Sequence, residues 1–402
     1  MVYSLNFYVT LVCMVGVLFL GRGIIKKVKF LQDYNIPEPV VGGIIVAMII
    51  FCLNFYYEVK LEFNDSLKDP LMLAFFTSIG LSADFASFKK GGKILIIFLF
   101  IVTGLLFLQN ILGILVAKLL GVNPLLGLLG GSITMSGGHG TGAAWADTFK
   151  APPYSFAPAA EVAVACATFG LVMGGLIGGP VARYLVKKHQ LELPKDDNAT
   201  PLVFEEPKKE RLITASSFVE SLGLIAFCLL VGTEISALLQ GVKFVNTLPT
   251  FVWCLFMGVI LRNIFHISGI FKIFDREVSV IGNVSLSLFL AYVLMTINLQ
   301  QLVSLALPIA AILMVQVITM ILYAVFITFR FCGRDYDAAV LSAGHCGFGL
   351  GATPTAMVNM QTVTQHYGHS HMAFIVVPLV GAFFIDIVNA FAISSALNLF
   401  FG

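Results

Sequence analysis

The chain alternates between long apolar runs and short polar segments. Most runs approach or exceed the ~20 residues that a helix needs to cross the hydrocarbon core of a membrane. The apolar residues are contiguous within each run instead of recurring at helix-face or strand spacing, so the pattern predicts an all-α polytopic membrane protein. The twelve runs lie near residues 5–24, 36–57, 70–86, 94–120, 125–148, 158–187, 213–240, 248–266, 278–298, 302–330, 336–362 and 370–400.

The composition agrees with a membrane protein. Of 402 residues, 58% are hydrophobic and only 11% are charged, whereas about 25% of residues are charged in soluble domains. The net charge of +2 provides neither a basic face for nucleic acid nor an acidic tail. The seven cysteines are odd in number and form no CxxC pair, which argues against a disulfide framework and a zinc site.

A polar segment at 188–211 divides the chain into two halves of six runs each. Its charges and prolines are typical of a solvated linker. We therefore expect an N-terminal repeat over 1–187 and a C-terminal repeat over 212–402, with the linker between them.

The fifth run of each half is too rich in glycine and small polar residues to be an ordinary span. Segments Gly130–Gly142 and Ser342–Pro354 both contain Ser-x-Gly-His, and in this register they are 206 residues apart. The second runs also align, because Ile36-Pro37 and Leu248-Pro249 are 212 residues apart. These matches predict an internal duplication.

We expect the two glycine-rich runs, about 125–148 and 336–362, to enter and leave the membrane on the same side as re-entrant hairpins. Each half then has five true spans. Because five is odd, the second half enters the membrane upside down, as in the inverted repeats of secondary transporters.

The basic residues give an independent test of this topology, because they concentrate in cytoplasmic loops. With the N-terminus outside, 19 of the 24 lysines and arginines fall on the cytoplasmic side. The remaining five are Lys60, Lys68, Lys118, Lys150 and Lys243. We therefore expect both termini outside and the linker in the cytoplasm. The first hairpin then opens from outside and the second from the cytoplasm.

The hairpin tips are the candidate substrate site. Non-helical backbone at membrane depth must be buried in protein or line a cavity, and helix N-termini offer free N–H groups to anions. No lysine or arginine lies in the middle of a run, so a carboxylate would be held by backbone, hydroxyl and imidazole groups. Close helix packing through small residues is the alternative role. The candidate residues are Ser136, Gly137, Gly138, His139, Gly140, Thr141, Gly142, Ser342, Gly344, His345, Cys346, Gly347, Gly349 and Thr353.

Two acids, Glu161 and Asp386, lie in the last run of each half. An ionisable residue inside a span is a functional hypothesis by default, so both are candidates to bind a cation or a substrate ammonium group. A structural hydrogen bond to a neighbouring helix is the alternative. Amide oxygens are neutral ligands of the kind that a hard cation takes. The candidate cation ligands are Asn283, Asn298, Asp386 and Asn389.

Four sequence blocks resemble the bacterial sodium/glutamate symporter family, and the similarity covers essentially the whole chain. The blocks are Asp69–Phe76, Ser136–Trp145, Gly174–Arg183 and Gly344–Thr355. The resemblance implies sodium-coupled glutamate uptake across the bacterial cytoplasmic membrane, by a homodimer that works through an elevator-like movement. It implies sodium as the coupling ion and no organic cofactor. The motifs do not fix the sodium ligands, for which the acid and amides above remain candidates.

Other functions remain open from the residues alone. A proton-coupled transporter, or a transporter of another carboxylate, would have the same architecture. An intramembrane enzyme could use His139 with Asp147 or Glu161 as acid and base, but it would not need two His-bearing hairpins. A channel also uses glycine-rich re-entrant loops, but channels usually surround one axis with several like subunits.

Overall fold

The structure is a computed structural model that describes residues 2–34, 36–191, 212–239, 248–297 and 305–401. Asn298, one of the candidate cation ligands, lies outside the described residues. Residues 192–211, which form most of the expected linker, also lie outside them.

Almost all of the described chain is helical, as the apolar runs predict. Strands β1 (Val2–Ser4) and β2 (Lys60–Glu62) form a short parallel pair. The helices are α1 (Phe7–Ile25), α2 (Lys29–Asp33), α3 (Glu38–Tyr57), α4 (Lys68–Ser82), α5 (Phe88–Leu119), α6 (Pro124–Leu128), α7 (Gly138–Lys150), α8 (Ala159–His189), α9 (Ala215–Leu239), α10 (Thr250–Ser268), α11 (Asp275–Met295), α12 (Ala306–Tyr323), α13 (Tyr336–Leu350), α14 (Thr353–Tyr367), α15 (His371–Leu379) and α16 (Ile385–Phe400).

Within the described residues, eight helices are long and apolar enough to cross a membrane, which confirms the prediction of a polytopic membrane protein. They are Phe7–Ile25, Glu38–Tyr57, Gly92–Leu119, Ala159–His189, Ala215–Leu239, Thr250–Ser268, Asp275–Met295 and Ala306–Phe331. Two further spans were expected near 70–86 and 370–400. The first of these runs forms α4, which has 15 residues. The second forms α15 and α16, which a π-helical turn joins.

Helices α1, α3, α4, α9, α10 and α11 pack against one another, and we call them the first helix group. Helices α4 and α10 contact each other directly through their backbones at two glycines. A Cβ atom at Gly80 would lie 2.1 Å from the Leu255 carbonyl oxygen, and one at Gly258 would lie 2.7 Å from the Thr77 carbonyl oxygen. These glycines therefore allow a close helix crossing of the kind common in membranes.

Helices α5 to α8 and α12 to α16 form the second helix group, in which α8 packs against α7, α13 and α14. The helices of this group are interrupted by π-helical turns at Leu129–Ile133, Ala324–Thr328 and Val380–Phe384. Pro378 precedes the last of these turns. Because proline has no backbone N–H, it breaks the helical hydrogen-bond ladder at that point.

The two helix groups touch through aromatic side chains. The ring of Phe251 on α10 stacks on Phe76 of α4, with 4.3 Å between centroids, and meets Trp145 of α7 edge-on at 5.9 Å. Trp145 is fully buried by these contacts. Helix α7 is thus held against the first helix group.

Candidate functional site

Two helical hairpins supply the candidate site. Hairpin 1 runs from Pro124 to Lys150 through the π-helical turn and α7, and hairpin 2 runs from Tyr336 to Tyr367 through α13 and α14. Local sequence sets where each begins. The Asn123 side chain accepts a hydrogen bond from Leu125 N, and the Asp335 side chain accepts one from Ala338 N, so both act as N-caps.

The tips of the two hairpins meet in the interior of the second helix group. The Ser136 hydroxyl of hairpin 1 lies 3.3 Å from the Gly349 carbonyl of hairpin 2. Gln109 on α5 bridges them, because its Nε2 donates to that carbonyl at 2.8 Å and its Oε1 accepts from the Ser136 hydroxyl at 2.9 Å. All three residues are buried. A movement of either tip therefore disturbs the other.

A helix starts immediately after each chain reversal. Helix α7 begins at Gly138, whose φ of 65° is in the left-handed region that glycine adopts without strain. Helix α14 begins at Thr353. In the described chain, no side chain caps either helix at Gly137 or Ala352. The first N–H groups of α7 are thus available to an anion, and α14 offers those of Thr353 and Thr355, because Pro354 has no N–H.

Asp386 lies beside hairpin 1. The Thr141 hydroxyl of α7 makes a side-chain hydrogen bond with the Asp386 carboxyl group, which is at the start of α16. Thr353 makes a related contact from hairpin 2, because its hydroxyl donates to the Gly381 carbonyl at 2.6 Å. That carbonyl lies in the π-helical turn before α16. Both tips are therefore bound to the same interrupted helix.

A cluster of neutral polar groups surrounds Ser132 in the π-helical turn of hairpin 1. The Asn110 Oδ1 atom accepts from Ser132 N, and the Asn389 Nδ2 atom donates to the Ser132 carbonyl, both at 3.0 Å. Gln316 lies next to this cluster, because its Nε2 donates to the Gln109 carbonyl at 2.8 Å. All of these side chains are buried.

Several oxygens of this cluster lack partners. Within the described residues, Ser132 Oγ, Asn389 Oδ1 and Gln316 Oε1 have no hydrogen-bond partner. Most buried polar atoms in folded proteins are hydrogen-bonded, so unpartnered ones call for an explanation. Oxygen atoms without a donor are what an oxygen-preferring cation requires.

The two histidines occupy different environments. His139 is partly buried, and its Nε2 lies 3.0 Å from the Thr168 hydroxyl. His345 is fully buried, with its Nδ1 2.8 Å from the Thr328 hydroxyl, and it packs against the rings of Phe98 and Phe348. The structure therefore surrounds His345 with aromatic rings in the body of hairpin 2.

Other candidate residues lie away from the tips. Ser342 donates back to the Ala338 carbonyl at 2.8 Å inside α13, and Gly344 and Cys346 lie in the same buried arm. Asn283 is exposed on α11, with its Nδ2 3.3 Å from the Ser279 hydroxyl. Glu161 is buried in the first turn of α8.

The structure corrects the register that Ser-x-Gly-His indicates. The chain reverses at Ser136–Gly137 in hairpin 1 and at Gly351–Ala352 in hairpin 2. The motif therefore begins at the reversal in hairpin 1 and lies before the reversal in hairpin 2. Consequently His139 and His345 lie on opposite arms and are not equivalent positions. The helix starts agree better with the register of the two proline pairs.

The sequence analysis missed Gln109, Asn110 and Gln316. A signal was present, because each is an uncharged amide in the middle of an apolar run where few polar residues occur. Gln109 and Asn110 on α5 bind the hairpins directly, and Gln316 on α12 binds the Gln109 carbonyl.

Together these features define a polytopic, helical membrane protein with a buried polar site where interrupted helices meet, as in secondary transporters. The chain belongs to the sodium/glutamate symporter family, whose model matches residues 3–369. This confirms the resemblance of the sequence blocks. Members of this family are symporters, so the chain is a transporter and not an enzyme.

Two relatives give the extent of the similarity. The chain is 56% identical over 399 residues to the sodium/glutamate symporter of Escherichia coli (strain K12), a match that covers 99% of this chain and 98% of that protein. It is 50% identical over 393 residues to the sodium/glutamate symporter of Haemophilus influenzae, which covers 97% of this chain and 96% of that protein.

Proposed function

We propose that the protein takes up glutamate together with sodium across the bacterial cytoplasmic membrane by alternating access. Family membership and 56% identity over nearly the full chain support this proposal. The structural observation that carries it is the contact between the two hairpin tips at Ser136 and Gly349. Two uncapped helix N-termini start next to that contact, and a carboxyl group, Asp386, lies beside it.

In this proposal, the substrate carboxylates bind the first N–H groups of α7 and α14. Hydroxyl groups of Ser136, Thr141 and Thr353 orient them. Helix N-termini bind anions without a charged side chain, so a buried arginine is not needed. The ammonium group of glutamate is directed to an acid, for which Asp386 and the buried Glu161 are the candidates.

Sodium binds near Ser132 in this proposal. The unpartnered oxygens of Ser132, Asn389 and Gln316 supply neutral ligands, and Asp386 lies less than one helical turn before Asn389 on α16. The exposed position of Asn283 gives it no part in this site. A sodium ion and a glutamate bound at neighbouring positions would each stabilise the closed arrangement of the hairpins, which couples their binding.

We further propose that residues 1–187 and 212–402 are inverted repeats and that the second helix group moves against the first in an elevator-like manner. The order of helices in the first half recurs in the second, and few contacts join the two helix groups. The topology has both termini outside and the linker inside. In a homodimer, the first helix group would form the fixed contact between subunits.

A proton-coupled transporter, or a transporter of another carboxylate, is the second candidate. A half-buried acid such as Asp386 could bind a proton during transport. The neutral oxygens of the Ser132 cluster favour sodium instead, because a proton carrier needs a titratable group and not a set of amide and hydroxyl ligands.

Uptake into liposomes by the purified protein tests the coupling. We expect glutamate to accumulate under an inward sodium gradient at equal pH on both sides, and no accumulation under a pH gradient in sodium-free buffer. Accumulation driven by the pH gradient alone would support the second candidate. Aspartate and citrate as competitors of labelled glutamate distinguish a glutamate site from a general carboxylate site.

Protection of thiols tests the shared substrate site. We expect glutamate with sodium to slow maleimide labelling of both S136C and T353C, one on each tip. Choline chloride in place of sodium chloride is the matched control. Equal labelling rates with and without glutamate and sodium would contradict a site shared by the two hairpins.

A further inference from the structure

A basic cavity lies at the end of α8, distant from the hairpin tips. It has a volume of about 990 Å³ and lies between the last turns of α8 and the second arm of hairpin 2. Three of its lining residues, Arg183, Lys187 and Lys188, are basic and exposed on α8, and His366 faces them from α14. No acidic residue lines the cavity in the described part of the chain.

One of the basic side chains in the cavity, Lys188, is held by a neighbouring tyrosine. Lys188 Nζ lies 2.7 Å from the Tyr184 hydroxyl and 5.0 Å from the centre of the Tyr184 ring. Within the described residues, Arg183 and Lys187 form no ion pair. The cavity is therefore a concave surface with several positive charges and a tyrosine hydroxyl, which suits an anionic group.

An apolar groove continues from this cavity. It has a volume of about 450 Å³, runs between α8 and α12, and shares Pro180 and Tyr184 with the basic cavity. Apart from Tyr184, its lining side chains are all apolar. They are Leu176, Ile177, Pro180, Val181, Ile321, Leu322, Val325 and Phe326.

We propose that the cavity and groove together bind one anionic phospholipid, with its phosphate headgroup against Arg183 and Lys187 and an acyl chain along the groove. A soluble anion would use the basic cavity but not the apolar groove, and a zwitterionic lipid would use the groove but gain less from the charges. Only an anionic lipid matches both parts. Basic pockets between membrane helices on the cytoplasmic side bind such headgroups.

This inference is independent of the substrate that the protein transports. The lipid site is formed by α8, α12 and α14, which all belong to the second helix group. A bound lipid would therefore be carried with that group, or be released when the group moves. No hairpin-tip residue takes part in it.

Two variants distinguish the charges of the basic cavity from its open space. The double variant R183Q/K187Q removes two charges and keeps polar, though shorter, side chains. G179L places an apolar side chain in the cavity and keeps every charge. The side chain fits there, because a Cβ atom at Gly179, which lines the cavity, would meet nothing within 4 Å. The control K26Q/K27Q removes two exposed lysines that follow α1 and do not line the cavity.

Native mass spectrometry of the delipidated, detergent-purified full chain measures binding, with dioleoylphosphatidylglycerol and dioleoylphosphatidylcholine as probes. We expect the wild-type protein and K26Q/K27Q to bind the anionic lipid preferentially. R183Q/K187Q should bind it about 25-fold more weakly, since each basic group near an anionic lipid contributes about fivefold. G179L should lose the preference although its charge is unchanged. Monodisperse elution in gel filtration verifies that each variant is folded.

Three results would overturn the proposal. One is equal binding of the two lipids by the wild-type protein. Another is an unchanged preference in both R183Q/K187Q and G179L. The third is displacement of the anionic lipid by 10-fold excess inorganic phosphate, which would assign the basic cavity to a soluble anion. Glutamate uptake is measured separately, so a failure of this proposal leaves the transport proposal standing.

Discussion

The Nζ atom of Lys68 lies 2.6 Å from the Oδ1 atom of Asp147. Lys68 begins α4 in the first helix group, and Asp147 lies on α7 in hairpin 1. Both side chains are largely shielded from solvent, with 23% and 28% of their surface exposed. This ion pair therefore joins the two helix groups near the end of α7 that is farther from the tip of hairpin 1.

Removing the ion pair should change the balance between conformations. If the second helix group moves against the first, Lys68 and Asp147 separate in one state, and K68Q then destabilises the state seen here by about 1 kcal/mol. That is about a fivefold change in the population ratio. The measurement is the maleimide labelling rate of a thiol at position 136 without substrate.

The neighbouring K60Q serves as the control for this effect. Lys60 pairs with Glu62 at 3.0 Å within one surface strand, so it joins no helix groups. We expect K60Q to label like the wild-type background. An equal change in K60Q and K68Q would mean that the ion pair does not report a movement between the groups.

The sodium site predicts a specific effect of S132A. Ser132 Oγ is buried and makes no hydrogen bond within the described residues, so its removal should leave stability nearly unchanged. If the oxygen binds sodium, the sodium concentration for half-maximal uptake should rise about tenfold, which corresponds to about 1.4 kcal/mol. Glutamate uptake at graded sodium concentrations measures this shift.

Asparagines on α16 provide a matched comparison for the same site. N389A removes an unpartnered oxygen of the Ser132 cluster, whereas N398A changes a residue that donates to the Ser394 carbonyl at 3.0 Å farther along the helix. We expect a reduced sodium affinity for N389A alone. If N398A and N389A shift sodium dependence equally, the cluster is a structural feature and not an ion site.

Close packing inside hairpin 2 predicts a strong effect of G347A. A Cβ atom at Gly347 would lie 2.4 Å from the Ala356 Cα atom, and backbone cannot move aside as a flexible side chain can. We expect a loss of about 1–3 kcal/mol of stability, typical of overpacking, together with loss of uptake. The midpoint of thermal unfolding in detergent measures the first effect.

G179A is the matched control for the glycine prediction. Gly179 is also a helical glycine of the second group, but a Cβ atom there meets nothing within 4 Å. Alanine should therefore leave the unfolding temperature unchanged or slightly raised, because glycine is the poorer helix former. A loss of stability as large as that of G347A would show that backbone contact is not the cause.

Cys332 lies in the turn between α12 and hairpin 2, and we expect its thiol to be unreactive. Burial raises the pKa of Cys332 to about 12, and the nearby Asp335 carboxylate adds to this shift. The thiol is therefore protonated at all pH values well below 12. At pH 8 it carries about 2,000-fold less thiolate than an ordinary cysteine of pKa about 8.5, and the thiolate is the reactive form.

Maleimide labelling with mass spectrometry checks this expectation. Cys332 should remain unlabelled at pH 8 in the folded protein and react after denaturation. Exposed Cys52 is the internal reference for reagent activity. Rapid labelling of Cys332 in the folded protein would mean that the turn opens to solvent.

The apolar runs were sufficient to predict most helices, because each run must satisfy its own backbone hydrogen bonds in lipid. The glycine-rich runs near 125–148 and 336–362 form helical hairpins over 124–150 and 336–367, and their re-entrant course in the membrane stays a prediction. The register between the hairpins was wrong, because Ser-x-Gly-His recurs on opposite arms. Sequence spacing could not reveal that Thr141 meets Asp386, or that Gln109 bridges the tips, since such contacts join segments far apart in the chain.

The π-helical turn at Val380–Phe384 has a consequence for the helix that follows. A wide turn of this kind contains one residue more than an α-helical path needs, and each residue of an α-helix rotates the chain by about 100°. Deleting one residue from the turn would thus restore a regular helix and leave Asp386 and Asn389 facing hairpin 1, whereas deleting one from the regular part of α15 would rotate both side chains by about 100° away from it. The rotational phase of α16, and not only the identity of its side chains, aligns the carboxyl and amide groups with the site.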